Sequence, residues 1–324
     1  MNDTLITIGE ALIDFIPDRS GCSFEDVGAF MPKVGGAPAN VCAAYSILGG
    51  RSRFLTQLGD DPFGHKIIRT LDKAGVDTSC ISLTDKANTA LAFVALEENG
   101  NRKFSFYRNP SADMLYSPDN LKKEYFCDAF ALHFCSVSLG DFPMKQAHRR
   151  AIELMREKGG IISFDPNLRF NLWESKEALK NAVLEFIPLC DIVKLSEEEI
   201  LFVTGFSKAK DAAKWMFDKG VKLFLYTCGS GGAYALTKKA DSYCPAFSVT
   251  AVDTTGAGDG FSGSFLRMLN KAGVTAETLS DISERTLEEC LGFSNKFCAI
   301  SVTRKGAIAS YPNEDETLKA KLNI

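Results

Sequence analysis

Residues 253–259 (DTTGAGD) combine glycines, hydroxyls and carboxylates just ahead of an apolar helical pattern. Phe265 and Leu269 recur at the spacing of one helix face, so a helix is predicted to begin within this run. Gly256 and Gly258 allow the backbone to come close to a ligand. Free N–H groups and the dipole at a helix N-terminus favour an anion, so this turn is predicted to bind one.

Asp259 ends the run, and its carboxylate would repel a phosphate at rest. A carboxylate beside an anion-binding turn does suit a phosphoryl acceptor. It can take the proton of a hydroxyl while the backbone N–H groups stabilise the phosphoryl group being transferred. The pattern therefore predicts a kinase that phosphorylates a hydroxyl, as a sugar kinase does.

Two other interpretations of these residues remain open. Residues 258–263 (GDGFSG) match the G-x-G-x-x-G dinucleotide fingerprint, but late in the chain and with an acid inside the loop. The run can also be an ordinary strand-to-helix turn in which Asp259 favours the helix dipole. The sequence contains no G-x-x-x-x-G-K-[ST] pattern, which argues against a P-loop enzyme.

The composition is that of an ordinary globular protein, with 45% hydrophobic and 24% charged residues among 324. A formal net charge of −4 gives no indication of nucleic-acid or membrane binding. The N-terminal residues do not resemble a signal peptide, no apolar run approaches the length of a membrane span, and the ten cysteines are scattered. We therefore expect free thiols and a cytoplasmic protein.

Apolar runs typical of buried strands alternate with helical patterns along most of the chain. Strands are predicted at residues 5–8, 130–134, 160–165, 192–195, 223–227 and 247–252. Helices are predicted from residue 38 and over residues 145–158 and 208–219. This alternation predicts a doubly wound αβα sandwich with a mostly parallel central sheet, in which ligands bind at the carboxyl ends of the strands.

Two segments, residues 11–33 and 88–109, show strand-like alternation, and neither contains a helical pattern. Residues 91–96 and 103–107 flank a turn at 98–101 (ENGN), which predicts a β-hairpin. We expect the two segments to form a small antiparallel β-sheet lid. A lid excludes water, which would otherwise accept the phosphoryl group. The αβα domain would comprise residues 1–10, 34–87 and 110–324.

Several polar groups are suited to holding a sugar. Residues 34–40 (VGGAPAN) place a Gly-Gly pair ahead of Asn40, whose amide offers both a donor and an acceptor. Asp14 lies between apolar residues and is apt for gripping two hydroxyls. Arg108 and Arg169 each follow a predicted strand, where a guanidinium can reach sugar or phosphoryl oxygens. The alternatives are a plain turn for the Gly-Gly pair, a solvated acid on an edge strand for Asp14, and surface salt bridges for the two arginines.

Two further runs follow predicted strands, residues 194–199 (KLSEEE) and 227–232 (TCGSGG). Three consecutive acids are typical of a capped, solvated helix start, although one of them can hold the waters of a Mg²⁺ ion. The Gly-rich run can line the phosphates or ribose of a nucleotide. Residues 302–307 (VTRKGA) offer backbone carbonyls near the end of the chain.

Together these motifs resemble those of the ribokinase-like (PfkB-type) carbohydrate kinases, and most of all the fructokinase branch. The resemblance extends over essentially the whole chain. It is carried by residues 9–15 (GEALIDF), 35–40 (GGAPAN), 89–94 (TALAFV), 107–113 (YRNPSAD), 165–169 (DPNLR), 172–173 (LW) and 253–259 (DTTGAGD). It implies an αβα domain with a β-sheet lid that transfers the γ-phosphoryl of ATP to the 6-hydroxyl of D-fructose.

The resemblance also implies roles for individual residues. Asp259 would be the catalytic base, the backbone of Gly256, Ala257 and Gly258 the anion hole, and Arg169 a catalytic cation. The sugar pocket would comprise Asp14, Gly35, Gly36, Asn40, Phe93, Arg108, Arg169 and Asp259. The nucleotide would lie near Lys194, Thr227, Gly229, Gly232, Gly258 and Asn295. A monovalent cation, with K⁺ the candidate, would be held mostly by backbone carbonyls of Asp253, Thr255, Ser301, Arg304, Gly306 and Ser310.

One motif departs from the family pattern. The family's Asn-x-x-Glu magnesium motif appears here as residues 196–199 (SEEE). Glu199 retains the acid that would hold Mg²⁺ through water, whereas Ser196 replaces the asparagine and offers a hydroxyl. ATP and Mg²⁺ are therefore the expected cofactors. A homodimer formed through the lid is expected as well, because an exposed apolar lid face favours association.

Other substrates remain open within the family. Arg108 and Arg169 would also suit an acidic sugar such as 2-keto-3-deoxygluconate, and ribose or a nucleoside is a further candidate. A catalytically silent sugar-binding relative represents a different class of protein. The intact residues 256–259 argue against that class, because a silent protein need not retain its base.

Overall fold

The computed structural model describes residues 2–19, 21, 24–96 and 102–323. Within them the chain forms fourteen strands: β1 (Thr4–Ile8), β2 (Leu12–Pro17), β3 (Phe30–Gly35), β4 (Arg51–Leu55), β5 (Gln57–Gly59), β6 (Ser82–Thr84), β7 (Ala90–Leu96), β8 (Arg102–Tyr107), β9 (Ala129–Cys135), β10 (Ile161–Asp165), β11 (Ile192–Ser196), β12 (Leu223–Thr227), β13 (Ala233–Leu236) and β14 (Asp241–Cys244). The same residues form nine α-helices: α1 (Ala37–Ile47), α2 (Pro62–Lys73), α3 (Pro143–Glu157), α4 (Lys176–Phe186), α5 (Glu197–Thr204), α6 (Ala209–Asp218), α7 (Ala257–Lys271), α8 (Glu284–Ser301) and α9 (Glu314–Lys319).

The main domain is built on an eight-stranded sheet with the strand order β14-β13-β12-β11-β10-β9-β1-β4. The pairings from β4 through to β12 are all parallel, and the two pairings beyond β12 are antiparallel. Strands β1, β9 and β10 are buried along their whole length, as expected of parallel strands that are covered on both faces. The predicted αβα sandwich with a mostly parallel sheet is confirmed.

Helices cover both faces of this sheet. On one face α1, α7 and α8 pack through residues such as Val41, Phe265 and Leu287. On the other face α3 to α6 pack on a cluster that includes Phe134 and Phe164, whose rings stack at 4.7 Å. Because both faces are covered, the edge of the sheet at the carboxyl ends of the strands is left for a ligand.

The predicted strands and helices of the main domain are confirmed to within two residues at their ends, with one exception. Residues 247–252, predicted as a strand, belong to no sheet of the described chain. Their backbone bonds to other loops instead: Ser248 N donates to Asn323 O at 2.8 Å and Val252 N to Val302 O at 2.7 Å. β-Branched alternation predicts a strand only where a neighbouring strand can pair, and here the partners are irregular segments.

A separate four-stranded sheet, the small sheet, has the order β3-β2-β7-β8, and β5 pairs with β6 in a sheet of two strands. Strands β7 and β8 form the predicted antiparallel pair, and the predicted turn at residues 98–101 lies outside the described residues. The central pair β2–β7 is parallel, which differs from the expected all-antiparallel lid. Leu12 pairs with Ala90, so the first residues of the two strands lie side by side and the strands run in the same direction.

Helices α1 and α7 approach each other closely at Gly263. A Cβ added at Gly263 would lie 2.7 Å from the carbonyl oxygen of Val41 and 2.8 Å from Cβ of Ala44. Asn40 lies near the start of α1 and Asp259 in the first turn of α7. The close contact between the two helices therefore sets the distance between two predicted site residues.

We expect Gly263→Ala to lower the free energy of unfolding by about 1–3 kcal/mol, because the added methyl group forces the two helix backbones apart. Gly292→Ala in α8 is the matched control. A Cβ there meets no heavy atom within 4 Å beyond its own helix, and alanine's higher helix propensity should stabilise it by up to about 1 kcal/mol. Urea unfolding of both variants measures the difference. Equal stability would contradict the requirement for glycine at position 263.

Candidate active site

A cavity of about 1080 Å³ lies where the carboxyl ends of the parallel strands meet, with the small sheet along one side. Leu12, Val94 and Phe106 of the small sheet contribute to its wall. Many of the residues predicted from sequence line this cavity together: Asp14, Gly36, Asn40, Arg169, Lys194, Glu199, Thr227, Gly229, Gly232, Thr255, Gly256, Ala257, Gly258, Asp259 and Asn295.

Asp259 is buried in this cavity wall, with 7% of its surface exposed. Asn40 Nδ2 donates to its Oδ2 at 2.8 Å, and Asn167 Nδ2 donates to its Oδ1 at 3.1 Å. Burial raises the pKa of this carboxyl to about 6. The Asn40 hydrogen bond and the Arg169 charge oppose that rise, whereas the Asp165 charge adds to it. A carboxyl of this pKa is suited to accept a proton near neutral pH.

Gly256 precedes α7 in the left-handed conformation, with φ +76°. A Cβ at this position would lie 2.6 Å from Cβ of Ala307 and 2.8 Å from the hydroxyl oxygen of Tyr311. The Tyr311 hydroxyl donates to the carbonyl oxygen of Gly256 at 2.8 Å. Glycine is therefore required here by both conformation and neighbours. It leads the chain into a helix N-terminus that faces the cavity at Ala257 and Gly258, where an anion is favoured.

A buried ion pair supports this turn. Lys194 Nζ donates to Asp165 Oδ2 at 2.6 Å, and both side chains are almost fully buried. Although burial opposes the charge, the carboxylates of Asp165 and Glu199 raise the pKa of Lys194, which is therefore a permanent cation. Its Nζ lies 3.5 Å from the point that a Cβ on Gly258 would occupy. A positive charge thus lies beside the predicted anion site.

Glu199 links helix α5 to the loop after β10. Its Oε2 accepts hydrogen bonds from Ser196 N at 2.9 Å and Ser196 Oγ at 3.0 Å, which form a capping box. Its Oε1 accepts from Leu168 N at 2.7 Å. The predicted helix start at the three acids is confirmed. A carboxylate has about four acceptor sites, so Glu199 retains some capacity for a ligand at the cavity.

The sugar-binding residues predicted from the Gly-Gly motif lie beneath the small sheet. A Cβ at Gly35 would collide with Oδ2 of Asp14, so this glycine leaves room for the carboxylate although it does not itself line the cavity. Gly36 has φ +107°, and a Cβ there would lie 2.6 Å from the carbonyl oxygen of Glu10. Asn40 Oδ1 is buried without a hydrogen-bond partner in the described chain, so this amide has an unused acceptor beside the cavity.

Phe93, predicted in the sugar pocket, lies on the opposite face of the small sheet. Its ring stacks on Phe15 with centroids 4.6 Å apart, and the cavity wall is formed instead by Val94 and Phe106. Successive side chains of a strand point to opposite faces, so a shift of one residue along β7 exchanges the cavity face for the outer face. This corrects the prediction for Phe93.

Arg108 is not brought to the cavity either, because its side chain is only 5% exposed and forms an ion pair with Asp113. The guanidinium also donates to Val137 O at 3.2 Å and to Ser138 Oγ at 3.3 Å. Ser138 Oγ in turn donates to Oε2 of Glu10 at 2.9 Å. The arginine therefore ties the end of β8 to loops of the main domain, since a buried guanidinium needs a carboxylate partner and Asp113 supplies it.

Of the residues predicted for the nucleotide, Thr227, Gly229 and Gly232 lie at or just after the end of β12, and Asn295 lies in α8. Gly232 has φ +91°, and a Cβ there would collide with the carbonyl oxygen of Cys244. Asn295 Nδ2 donates to Cys244 O at 2.9 Å and to Pro245 O at 3.1 Å. Thr227 and Gly229 line the cavity nearby. Asn295 therefore shapes the loop that follows β14.

Asp253 joins the loop before α7 to the loop after α8. Its Oδ1 accepts from Thr255 N at 3.0 Å and Thr255 Oγ1 at 2.6 Å, and its Oδ2 accepts from Gly306 N at 2.9 Å. Asp253 N donates to Val302 O at 3.1 Å. Three of the residues predicted for the monovalent cation are therefore brought together.

The other three residues of this predicted set lie at the end of α8 and in the loop that follows. The hydroxyls of Ser301 and Ser310 are 2.6 Å apart and buried. The Arg304 side chain reaches outward to Glu316 Oε1 at 3.3 Å. Because the Arg304 side chain is engaged with Glu316, its backbone carbonyl is the group that a cation site could use.

The cavity residues that were not given individual roles from the sequence include three polar ones, Glu10, Asp165 and Asn167. Each lies at or within two residues of the carboxyl end of β1 or β10. This is the edge at which a doubly wound sheet binds its ligands, so their position in the chain was a usable signal. The orientation of their side chains could not be predicted, because it depends on partners that are distant in sequence.

Comparison with known proteins identifies relatives over the full length of this fold. The family model for the pfkB family carbohydrate kinases matches residues 2–314. Probable fructokinase-4 of Arabidopsis thaliana is 42% identical over 314 residues, which cover 96% of this chain and 94% of that protein.

Two solved structures show the same fold. Fructokinase with bound ATP from Xylella fastidiosa has a TM-score of 0.90 at 34% identity, covering 98% of each chain. Fructokinase from Vibrio cholerae O395, with fructose, ADP and calcium ion bound, has a TM-score of 0.86 at 32% identity, also covering 98% of each chain.

Glu10 generates a prediction about stability and pH. Its carboxyl is buried, and burial raises its pKa from 4.5 to about 7 against the opposing charge of Arg108. The folded protein therefore holds this proton more tightly than the unfolded chain does. The stability due to the neutral carboxyl is fully present below about pH 4.5 and is lost as the pH rises through about 7.

We expect Glu10→Gln, which mimics the neutral carboxyl, to unfold at a higher temperature than the wild type at pH 8 and at a similar temperature at pH 5. The difference at pH 8 should correspond to at most about 3 kcal/mol. Differential scanning calorimetry at both pH values measures it. Glu153→Gln, on the exposed surface of α3, is the control and should change little. A Glu10→Gln protein whose melting temperature follows the wild type at both pH values would contradict this account.

Proposed function

The chain belongs to the pfkB family of carbohydrate kinases, and we propose that it transfers the γ-phosphoryl of ATP to the 6-hydroxyl of D-fructose, yielding fructose 6-phosphate and ADP. The observation that carries this proposal is the buried Asp259 carboxylate beside the N-terminus of α7, in one cavity with Asp14 and Asn40. The relatives named above, two of them fructokinases of known structure, support fructose as the acceptor.

In this reaction Asp259 takes the proton of the attacking hydroxyl. Its two oxygens are already held by Asn40 and Asn167, so the carboxylate is oriented before the sugar binds. The backbone of Gly256, Ala257 and Gly258 stabilises the negative charge on the transferring phosphoryl group, and the exposed Arg169 adds a positive charge at the cavity. Catalysis therefore depends mostly on positioning and charge, as in other phosphoryl transfers.

The sugar lies between the small sheet and the start of α1. The Asp14 carboxylate accepts hydrogen bonds from sugar hydroxyls, and the unpartnered Oδ1 of Asn40 accepts one more. Gly36 lets a hydroxyl come close to the backbone. Arg169 approaches from the loop after β10. Gly35 contributes by leaving space for Asp14.

The nucleotide occupies the part of the cavity lined by Lys194, Thr227, Gly229, Gly232 and Asn295. Within the described residues, no group of three or more His, Cys, Asp or Glu side chains is placed to bind a metal ion directly. Mg²⁺ would thus be held mainly by water and ATP oxygens, with Glu199 and Ser196 binding its waters. When bound, Mg²⁺ neutralises charge on the phosphates. The arrangement of Glu199 fits this role, because its carboxylate is fixed at the cavity with acceptor capacity left.

We also propose a monovalent-cation site, with K⁺ as the candidate ion, between the loops before α7 and after α8. The hydrogen bonds of Asp253 to Thr255 and Gly306 hold these loops together. Their carbonyls, with those of Ser301, Arg304 and Ser310, would supply the oxygen ligands that such an ion requires. Its place next to the turn at Gly256 would add positive charge to the anion hole.

The compartment we propose is the cytoplasm. The nine cysteines within the described residues are all free thiols, as expected in a reducing compartment. Among the described helices, none has the length and apolar character needed to cross a membrane.

The small sheet is proposed to act as a lid, formed by residues 11–33 and 88–109, and to mediate a homodimer. Its face away from the cavity carries Phe93 and Tyr107, whose rings lie 5.3 Å apart, and Tyr107 is 64% exposed. An exposed aromatic face of this kind favours association with a second copy.

We expect Tyr107→Glu to convert a dimer into a monomer, because a carboxylate in an apolar interface would be desolvated. Sedimentation velocity at micromolar concentration measures the change. Tyr243→Glu, at an exposed aromatic on the edge strand of the main sheet, is the matched control and should leave the dimer intact. A wild type that sediments as a monomer, or a Tyr107→Glu variant that remains dimeric, would contradict the lid interface.

The proposed reaction is tested by ADP release with ATP and Mg²⁺ on fructose, glucose, ribose, 2-keto-3-deoxygluconate and adenosine. We expect the highest kcat/KM with fructose. Asp259→Asn should lower kcat by about 10²–10⁴, the usual contribution of a general base, with little change in KM. Asp85→Asn, on the surface of the loop after β6, is the control and should leave kcat unchanged.

The outcomes separate the alternatives. A preference for 2-keto-3-deoxygluconate, ribose or adenosine would overturn fructose and retain the kinase. Turnover with none of the five would overturn the sugar-kinase function and favour a silent binding protein. Near-normal kcat in Asp259→Asn would remove Asp259 from the role of base.

A further inference from the structure

Asn167 has an unusual backbone conformation. Among the described residues it is the one non-glycine residue with a positive φ, at +47°. It lies two residues beyond the end of β10, in the loop that also carries Arg169. Asparagine adopts the left-handed region more readily than other non-glycine residues, but the conformation still persists only where its surroundings hold it.

The loop is held on both sides of Asn167. Before it, the carbonyl oxygen of Pro166 accepts from Ser136 N at 3.0 Å. After it, Leu168 N donates to Oε1 of Glu199 at 2.7 Å, and Glu199 is itself fixed by its capping box with Ser196. The backbone at Asn167 is therefore clamped between the loop after β9 and the first turn of α5.

This clamp directs the side chain toward the reacting centre. Asn167 Nδ2 donates to Asp259 Oδ1 at 3.1 Å, and Asn40 Nδ2 donates to Asp259 Oδ2 at 2.8 Å. Two amides from different elements thus hold one oxygen each, which prevents rotation of the carboxylate. Burial raises the pKa of Asp259, and the Asn40 hydrogen bond opposes that rise. Asn167 is likewise a donor to the carboxylate, and a donor favours the ionised form of a carboxyl group.

We propose that Asn167 is a positioning residue for phosphoryl transfer: its left-handed backbone, clamped through Leu168 and Glu199, aims its amide at Asp259 and holds that carboxylate oriented and ionised to accept the hydroxyl proton. This inference rests on the proposed function, since it acts through Asp259 as the base. It assigns to Asn167 no contact with the sugar or with ATP.

Two variants distinguish the effect of the Asn167 side-chain amide from the effect of its backbone conformation. Asn167→Gly keeps access to the left-handed conformation and removes the donor. Asn167→Asp keeps the size and the left-handed tolerance but places an acceptor against Asp259. Asp85→Gly, at an exposed position of the loop after β6 that does not line the cavity, is the control for an added glycine and should behave as the wild type.

We expect both Asn167 variants to lower kcat by about 10–100-fold with fructose, because a hydrogen bond to a charged group is lost. Asn167→Asp should be the more impaired of the two, since it adds like charge. KM for fructose and for ATP should change by less than about threefold. The pH at which kcat is half-maximal should rise by about one unit in Asn167→Gly, because the ionised form of the base has lost a donor.

A kcat of Asn167→Gly within twofold of the wild type would overturn the inference, as would a reduced kcat with an unmoved pH midpoint, which indicates a merely structural role. If Asn167→Gly does not fold, Asn167→Asp provides the test, since it preserves the size and shape of the side chain. The proposed function fails separately, through a wild type inactive on all five acceptors or an active Asp259→Asn. If the wild type prefers another sugar, the same comparison on that sugar decides the role of Asn167.

Discussion

The site depends on the burial of one carboxylate, Asp259, at a point where three elements meet. A buried charge is costly unless donors surround it, and the donors to Asp259 come from Asn40 at the start of α1 and Asn167 in the loop after β10. Each donor atom must lie within hydrogen-bond distance of the Asp259 carboxylate. The contact at Gly263 brings α1 against α7, so the spacing of Asn40 and Asp259 is a property of helix packing rather than of the site alone.

The same constraint extends outward through the charges beneath the cavity. Lys194 is buried with Asp165, and Glu199 is buried against Ser196 and Leu168. In each case the charge is satisfied by groups at the carboxyl ends of neighbouring strands. Because the strands are parallel and covered on both faces, these ends share one edge of the sheet. The network of ion pairs and hydrogen bonds therefore forms there between neighbouring residues. The anion site and the base are thus supported by the same sheet edge.

Much of this arrangement could be predicted from local sequence. The run of residues 253–259 predicts a helix N-terminus at a glycine turn, and α7 begins at Ala257 after the left-handed Gly256. Features that depend on distant partners could not be predicted. Residues 247–252 have the composition of a strand but pair with loops, and the inward face of β7 is set by the register of the small sheet. The conformation of Asn167 depends on Glu199, 32 positions further along the chain.

The placement of the arginines bears on the choice of sugar. Two arginines at the cavity would have suited an acidic sugar, but Arg108 is buried and its charge is matched by Asp113. Lys194 is likewise matched by Asp165. Of the cations predicted for the site, Arg169 remains at the cavity wall with an exposed side chain, and the carboxylates of Asp14 and Asp259 lie in the same wall. A sugar carboxylate there would meet more like charge than opposite charge, whereas neutral hydroxyls find acceptors at Asp14 and Asn40. The electrostatics of the cavity therefore favour a neutral sugar, in agreement with fructose.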